Sequence, residues 1–190
     1  MGLIMNRLLP TVSFSLLTAC YSGPYPLSSP YFTIPKGSEL VLKQELSIPA
    51  EKGRVYIQDG QQLMGRKIEK YNPHCWFVSW VISKDKTVIK PDRFIVLRSK
   101  KYDNLVNDKH TVMFASNSAF STNRSFASIT AIEHFTELSI HSDRQNNIRQ
   151  FVCNHWGDPL DARPLTVAEI NNTLGKIAQL IIPVDRLGAP

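Results

Sequence analysis

The chain has 190 residues, of which 43% are apolar and 20% charged, and its formal net charge is +6. These values are ordinary for one soluble globular domain that is long enough to bury a sizeable core. The basic balance fits attraction to anionic lipid, lipopolysaccharide or nucleic acid. The densest basic run, residues 98–101, is shorter than the five or so positive charges that mark a nucleic-acid patch, so we expect no nucleic-acid partner.

The first 19 residues are typical of a secretory signal peptide. Arg7 gives a positively charged start without acidic residues, residues 8–17 form a short apolar stretch, and small residues precede Cys20. The apolar stretch is too short to span a bilayer, which needs about 20 residues. Either Met1 or Met5 can serve as the start of translation.

The end of this segment, Leu17-Thr18-Ala19-Cys20, resembles the lipobox of bacterial lipoproteins. In that family the cysteine thiol receives a diacylglycerol, the signal is cut just before it, and the new N-terminus is acylated. The resemblance implies that Cys20 is lipidated and that the acyl chains hold the mature protein in the membrane. Tyr21 stands where an Asp retains enterobacterial lipoproteins in the inner membrane, which implies the outer membrane. The alternative is a buried cysteine in an ordinary hydrophobic segment.

Residues 20–35 are predicted to form a lipidated, proline-rich tether. Four prolines at short spacing disfavour both helix and strand pairing, so we expect an extended chain here. Its reach is on the order of 45 Å if it is wholly polyproline-like. The aromatic residues of this segment can lie at the lipid interface or dock on the domain.

A single β-rich domain with a C-terminal helix is predicted over residues 36–190. Strand-like patterns occur at 38–49, 54–58, 74–82, 87–89, 93–98, 110–116, 126–142 and 149–156. Asp59-Gly60 is a turn signal, and Pro91 separates two of the strands. Short strands separated by turn residues predict an antiparallel sandwich or small barrel.

Only the C-terminal segment shows helical periodicity. Apolar residues recur at helical spacing over residues 166–182, Thr166 and Glu169 form a capping-box pattern, and Pro183 would end the helix. We expect the apolar stripe to pack on the sheet. The alternative is an exposed helix that binds a partner.

With Cys20 lipidated, Cys75 and Cys153 remain, and an exported pair of cysteines predicts one disulfide. The alternative is a zinc site made of His74, Cys75, Cys153 and His155. Strand geometry argues against zinc, because His74 and Cys75 would point to opposite faces. We therefore expect the disulfide, no metal and no cofactor.

No common catalytic motif is present: the chain has no GxSxG, HExxH, glycine-rich phosphate loop or CxxC. Glu133-His134 and His141 with Asp143 each put a base near a carboxylate, but nothing in the sequence pairs them with a nucleophile. Residues 58–60, 71–75 and 90–94 resemble a small family of proteobacterial lipoproteins, a resemblance that implies no particular activity. In physical terms they are turns that position strands.

These observations predict an outer-membrane-anchored lipoprotein of the bacterial envelope, with its domain facing the periplasm. It would have a non-enzymatic binding or structural role toward a protein or glycan partner. The alternative is a periplasmic enzyme or small-ligand-binding domain with a His/carboxylate site in a sheet mouth. A deep pocket that gathers His134 or His141 with a carboxylate and a hydroxyl would favour the alternative. An exposed apolar patch would favour the binding role.

Overall fold

Ten β-strands and one short α-helix make up the part of the chain that the computed structural model describes, residues 25–107, 129–160 and 162–183. Cys20 and the predicted strand at 110–116 lie outside these residues. In chain order the elements are β1 Glu39–Leu42, β2 Leu46–Ile48, β3 Arg54–Gln58, β4 Gln61–Leu63, β5 His74–Ser79, β6 Thr87–Ile89, β7 Asp92–Asn107, β8 Ile129–His141, β9 Ile148–Gly157, α1 Val167–Leu174 and β10 Ala178–Ile181.

Eight of the strands form one antiparallel sheet in the order β10-β1-β7-β8-β9-β5-β3-β4, and β2 pairs with β6 in a second, small sheet. The large sheet curls into a half-barrel, and α1 packs on it. The predicted fold class, mainly β and antiparallel with one C-terminal helix on the sheet, is confirmed.

The long pair β7–β8 extends the sheet well beyond the sequence prediction. Pro91 separates β6 from β7 as expected, but β7 continues past residue 98 to Asn107. Its second half, residues 99–107, is mostly polar and therefore lacks the apolar signal of a strand. Pairing with β8, from Ile95 opposite His141 to Asn107 opposite Ile129, keeps this polar half extended.

The core lies on the inner face of the curled sheet. Phe77 of β5 packs against Phe94 of β7 and Phe151 of β9, with ring centroids 5.8 and 5.0 Å apart. All three rings are fully buried, and each such burial contributes roughly 1.5–3 kcal/mol. The helix covers this face with its own buried apolar residues, which are Val167, Ile170 and Leu174.

The segment just before the predicted domain boundary also belongs to the core. Phe32 and Ile34, which the sequence assigns to the tether, are buried in the same apolar cluster. The Lys101 ammonium donates a hydrogen bond to the carbonyl oxygen of Pro30 and ties this segment to β7. Folded structure therefore begins before Lys36, because burying two large apolar side chains offsets the cost of ordering the chain.

The predicted helix over 166–182 is wrong in its second half. The capping box is present, since Glu169 N–H donates to Thr166 Oγ1 and Thr166 N–H donates to the Glu169 carboxylate. The helix ends at Leu174, however, because Gly175 takes a positive φ of 55°. Residues 178–181 then form β10, which pairs with β1. Within the described ranges, no helix has the length and apolarity that crossing a bilayer requires.

Two glycines allow the β3–β4 turn to dock on the end of the helix. Asp59 and Gly60 both have positive φ, 52° and 69°, as a two-residue hairpin of the type I′ kind demands. Gly60 N–H donates to the Thr173 carbonyl at 2.9 Å. A Cβ on Gly175 would lie 2.8 Å from the Gly60 Cα, so only glycine fits there.

Cys75 and Cys153 form a disulfide between β5 and β9, as the sequence predicts. They are directly opposite each other in the register, with Cα atoms 4.0 Å apart, and both are buried. The bond closes a loop with a sequence separation of 78 residues. Because the two sulfurs are bonded to each other, they are not thiolate ligands, and the alternative zinc set is not formed.

Removing the disulfide should destabilise the domain without changing its fold. We expect Cys75→Ala and Cys153→Ala each to lower the free energy of unfolding by about 2–5 kcal/mol, because the unfolded chain loses a long-range crosslink. The double variant should be no less stable than the worse single variant, since both lose the same bond. Urea unfolding with and without reductant measures this. Destabilisation by a chelator, with no effect of reductant, would contradict it.

Candidate functional site

A cleft lined by aromatic rings lies on the outer face of the large sheet. Strand alternation sends Cys75 and Phe77 into the core, so His74 and Trp76 point the other way. Neighbouring strands add further rings to the same face. The aromatic cleft has a volume of about 250 Å³ and is lined by Tyr56, Trp76, Phe135 and Trp156 with the polar side chains of Arg54, Lys70, His74 and Glu133.

The rings of the cleft contact one another across β3, β5 and β8. Trp76 is buried and forms the floor, with Tyr56 at 5.6 Å on one side and Phe135 at 6.3 Å on the other. The His74 ring stacks on Trp76 at 5.8 Å. Tyr102 of β7 stacks on Phe135 at 4.8 Å and continues the row. Mutual packing fixes the ring orientations, so the surface they present is pre-formed.

Residues 64–72 form one wall of the cleft and are held by hydrogen bonds. The buried amide of Gln58 donates to the carbonyl oxygens of Glu69 and Asn72, and it accepts from Glu69 N–H. Trp156 N–H donates to the Lys70 carbonyl at 2.9 Å, and the Lys70 ammonium lies 4.5 Å from the Trp156 ring centre. The wall is thus tied both to β3 and to β9.

The polar groups of the cleft are positioned by neighbours on adjacent strands. Asn154 Nδ2 donates to Glu133 Oε1 at 2.7 Å. His74 Nδ1 lies 3.0 Å from the Asn72 carbonyl, and burial lowers the pKa of His74. His74 is therefore neutral near pH 7, with its proton on Nδ1, because the carbonyl can only accept a hydrogen bond.

A second group of polar side chains, the inner polar cluster, lies on the opposite face of β7, β8 and β9 and comprises Lys101, Asp103, His134, Thr136 and His155. His134 is buried, and its Nδ1 lies 2.6 Å from Asp103 Oδ1. The rings of His134 and His155 are 5.7 Å apart. Burial lowers the pKa of Lys101 to about 8.

Three buried atoms of this cluster, His134 Nε2, Thr136 Oγ1 and His155 Nδ1, have no hydrogen-bond partner among the described residues. The same is true of Ser99 Oγ, two residues before Lys101 on β7. Neither hydroxyl is bonded to His134, so within the described ranges the Asp103–His134 pair has no hydroxyl nucleophile in hydrogen-bond contact. The described ranges also contain no group of three or more His, Cys, Asp or Glu side chains that could hold a metal ion.

The structure pairs the sequence-predicted histidines in part as expected. His134 does have a carboxylate partner, but it is Asp103 of β7 rather than the adjacent Glu133, which points to the outer face. His141 Nε2 does contact Asp143 Oδ1, at 2.9 Å, in an exposed position. His155, a member of the alternative zinc set, lies beside His134.

Sequence reasoning missed the aromatic cleft and Asp103. The sequence does contain a signal for an aromatic outer face, because aromatic residues alternate with core-facing apolar residues along a strand. An example is Tyr56, which stands between Val55 and Ile57. What the sequence lacks is the order of the strands, which brings β3, β5, β8 and β9 side by side.

The chain was compared with protein-family models, with curated proteins and with solved structures, and none of the three comparisons gave a match.

Acidification should destabilise the domain through His155. Burial, and next the charge of His134, lower the pKa of His155 below 6.5, so folding favours its neutral form. This contribution to stability is fully present above the unfolded pKa, about 6.5, and is lost as the pH falls through the lower folded value. We expect the urea midpoint of His155→Gln to change less between pH 7 and pH 5 than the midpoint of the exposed control His141→Gln. Equal pH dependence in the two variants would contradict this.

Proposed function

We propose that this chain is an outer-membrane lipoprotein that binds a glycan of the bacterial envelope in the aromatic cleft. The observation that carries the binding role is the combination of pre-formed rings and convergent polar groups in one small cleft. The lipobox-like sequence at Cys20 supports the anchor. The absence of a catalytic motif in the sequence supports a role in binding rather than in catalysis.

The chemistry of the cleft suits a sugar. The flat faces of Tyr56, Phe135 and Trp156 can pack on the C–H faces of a pyranose ring. The Glu133 carboxylate accepts hydrogen bonds from sugar hydroxyls, and a carboxylate makes stronger hydrogen bonds than a neutral group. Asn154, which is fully buried, donates from Nδ2 to Glu133 Oε1 and so holds this carboxylate in position for the ligand.

The charge and the size of the cleft restrict the class of sugar further. Arg54 and Lys70 lie at the cleft with one carboxylate, Glu133, so an acidic sugar is favoured over a basic one. A volume of about 250 Å³ is smaller than a typical drug-sized pocket and suits one sugar unit of a longer glycan. A protein partner would need a contact surface many times larger than the surface that lines this cleft.

The distance between the proposed anchor and the domain supports action close to the membrane. Phe32, already in the core, follows Cys20 by only twelve residues. A fully extended chain covers at most about 3.6 Å per residue, so the domain would stay within about 43 Å of the lipid. The cleft would then meet glycans at the inner surface of the outer membrane.

The inner polar cluster favours a second candidate, the binding of a small polar ligand beneath residues 25–34. The specific observation is His134, a buried imidazole that Asp103 orients and whose Nε2 has no partner among the described residues. A ligand site with a histidine and a carboxylate is the alternative that the sequence leaves open. We rank it second because, in the part of the chain that the structure describes, no hydroxyl is bonded to the histidine, and the imidazole is almost completely covered.

Lipidation at Cys20 can be tested directly. We expect Cys20→Ser to abolish incorporation of radioactive palmitate and to leave an uncleaved or mislocalised precursor, because the thiol is the acceptor of the diacylglycerol. Cys75→Ser is the matched control and should be labelled normally. Normal labelling and membrane partition of the Cys20→Ser variant would contradict the lipoprotein proposal.

Glycan binding can be tested with the purified protein on an array of peptidoglycan fragments and lipopolysaccharide-derived oligosaccharides. We expect Glu133→Gln to weaken binding about tenfold or more, since a hydrogen bond to a charged group contributes about 1.5–3 kcal/mol. Phe135→Leu should also weaken binding because it removes an aromatic face while keeping an apolar side chain.

The matched control is Tyr31→Leu, which removes an exposed aromatic ring outside the cleft and should leave binding unchanged. Loss of binding in His134→Ala, with normal binding in Glu133→Gln, would move the ligand to the inner polar cluster. Binding to none of these glycans would contradict the proposal.

A further inference from the structure

A loop between β5 and β6 presents three consecutive apolar side chains to solvent. Trp80, Val81 and Ile82, here called the apolar loop, are 64%, 57% and 68% exposed. Single exposed apolar residues are common, but three adjacent large ones form a patch of the kind that binds another apolar surface.

The apolar loop has a fixed backbone. Ser79 Oγ donates to the Val81 carbonyl at 2.9 Å and accepts from Val81 N–H at 3.2 Å. Trp80 N–H donates to the Asn147 carbonyl, and Glu51 N–H donates to the Ser83 carbonyl. The backbone that presents the three side chains is therefore already ordered, so binding requires no further ordering of the main chain of the loop.

A groove of about 650 Å³ adjoins the apolar loop. Its apolar lining includes Pro49, Tyr56, Leu63 and the exposed Met64. The groove and the apolar loop meet at Gly53, which lines the groove. A Cβ added to Gly53 would lie 3.6 Å from Ile82 Cγ1. Loop and groove thus form one continuous surface.

The charge of this surface is strongly positive. Residues 49–54, 63–67 and 80–86 together with Arg149, here called the basic apolar edge, contain two acidic residues, Glu51 and Asp85, against seven basic ones, which are Lys52, Arg54, Arg66, Lys67, Lys84, Lys86 and Arg149. The whole chain has 22 basic and 16 acidic residues, so positive charge is concentrated here. Arg149 also lies 5.9 Å from the Trp80 ring centre.

We infer that the basic apolar edge docks the domain on an anionic phospholipid bilayer. Trp80 would lie at the depth of the headgroups, where amphipathic rings are favoured, and Val81 and Ile82 would enter the acyl region. Each lysine or arginine near an anionic surface increases the affinity for that surface by a factor of about ten or less. A second copy of this chain is disfavoured as the occupant, because two such edges would repel each other.

This docking goes beyond glycan binding and uses a different surface, although Arg54, Tyr56 and Gly65 line both the groove and the aromatic cleft. It would fix the orientation of the domain relative to the membrane, which attachment through one lipidated residue alone does not. The residues chosen for the test lie outside the cleft, so its outcome is separate from that of the glycan experiment.

Tryptophan quenching tests the docking with the purified full-length protein. It is mixed with vesicles of phosphatidylcholine, with or without phosphatidylglycerol, that carry brominated acyl chains. We expect quenching of tryptophan emission that requires phosphatidylglycerol and declines as salt is raised. Trp80→Phe should remove most of this quenching, because it keeps an aromatic ring and deletes only the fluorophore at the loop.

Paired charge variants identify the surface. We expect Lys84→Gln with Lys86→Gln to shift the equilibrium between docked and undocked protein about 30-fold toward the undocked state. Lys43→Gln with Lys176→Gln removes the same exposed charge elsewhere and should change it little. Vesicle-bound protein whose Trp80 emission is not quenched would overturn the inference. A different result would also overturn it. This result is that vesicles do not quench the tryptophan emission, while Val81→Ser with Ile82→Ser abolishes self-association or binding to another protein.

Discussion

The pairing of β5 with β9, held by the Cys75–Cys153 disulfide, is the constraint on which the other features of the domain depend. Side chains alternate between the two faces of a strand, so a slip of one residue would exchange the core face with the outer face. With the two cysteines opposite each other, Phe77 and Phe151 enter the core together. The same register leaves Trp76 and Asn154 on the outer face, where they support the aromatic cleft.

The large sheet has different chemistry on its two faces. At one end of the inner face the apolar core gives way to Asp103, His134 and His155, and Tyr25, Tyr31 and Thr33 lie beside Asp103 and Lys101. The outer face carries aromatic rings with one carboxylate at the cleft. Burial acts on both faces in the same direction, since it lowers the pKa of His74 on the outer face and of His155 and Lys101 on the inner face.

The proposed glycan and lipid contacts are neighbours in the structure and share Arg54 and Tyr56 of β3. A domain that lies on a membrane through the basic apolar edge would hold the aromatic cleft beside the lipid surface. The proposed anchor at Cys20 fits this placement, because it precedes Phe32 by only twelve residues and would give the domain little freedom to move away from the lipid. Anchor, edge and cleft would then act together to present one rigid site at a fixed distance from the bilayer.

The sequence by itself determined the features that depend on local patterns. Alternation predicted most strands, the capping box at Thr166 marked the start of the helix, and an even pair of cysteines predicted the disulfide. The lipobox-like sequence at Cys20 remains a prediction, because it lies outside the described residues. Local pattern failed at Gly175, where a positive φ ends the helix and the same apolar residues continue as β10. It also failed at residues 99–107, whose polar side chains stay extended only because β8 pairs with them. Only the tertiary structure decided which residues form the site. The strand order brings Tyr56, Trp76, Phe135 and Trp156 together and places Asp103 beside His134. The spacing of residues along the chain does not reveal such contacts, because they join residues of different strands.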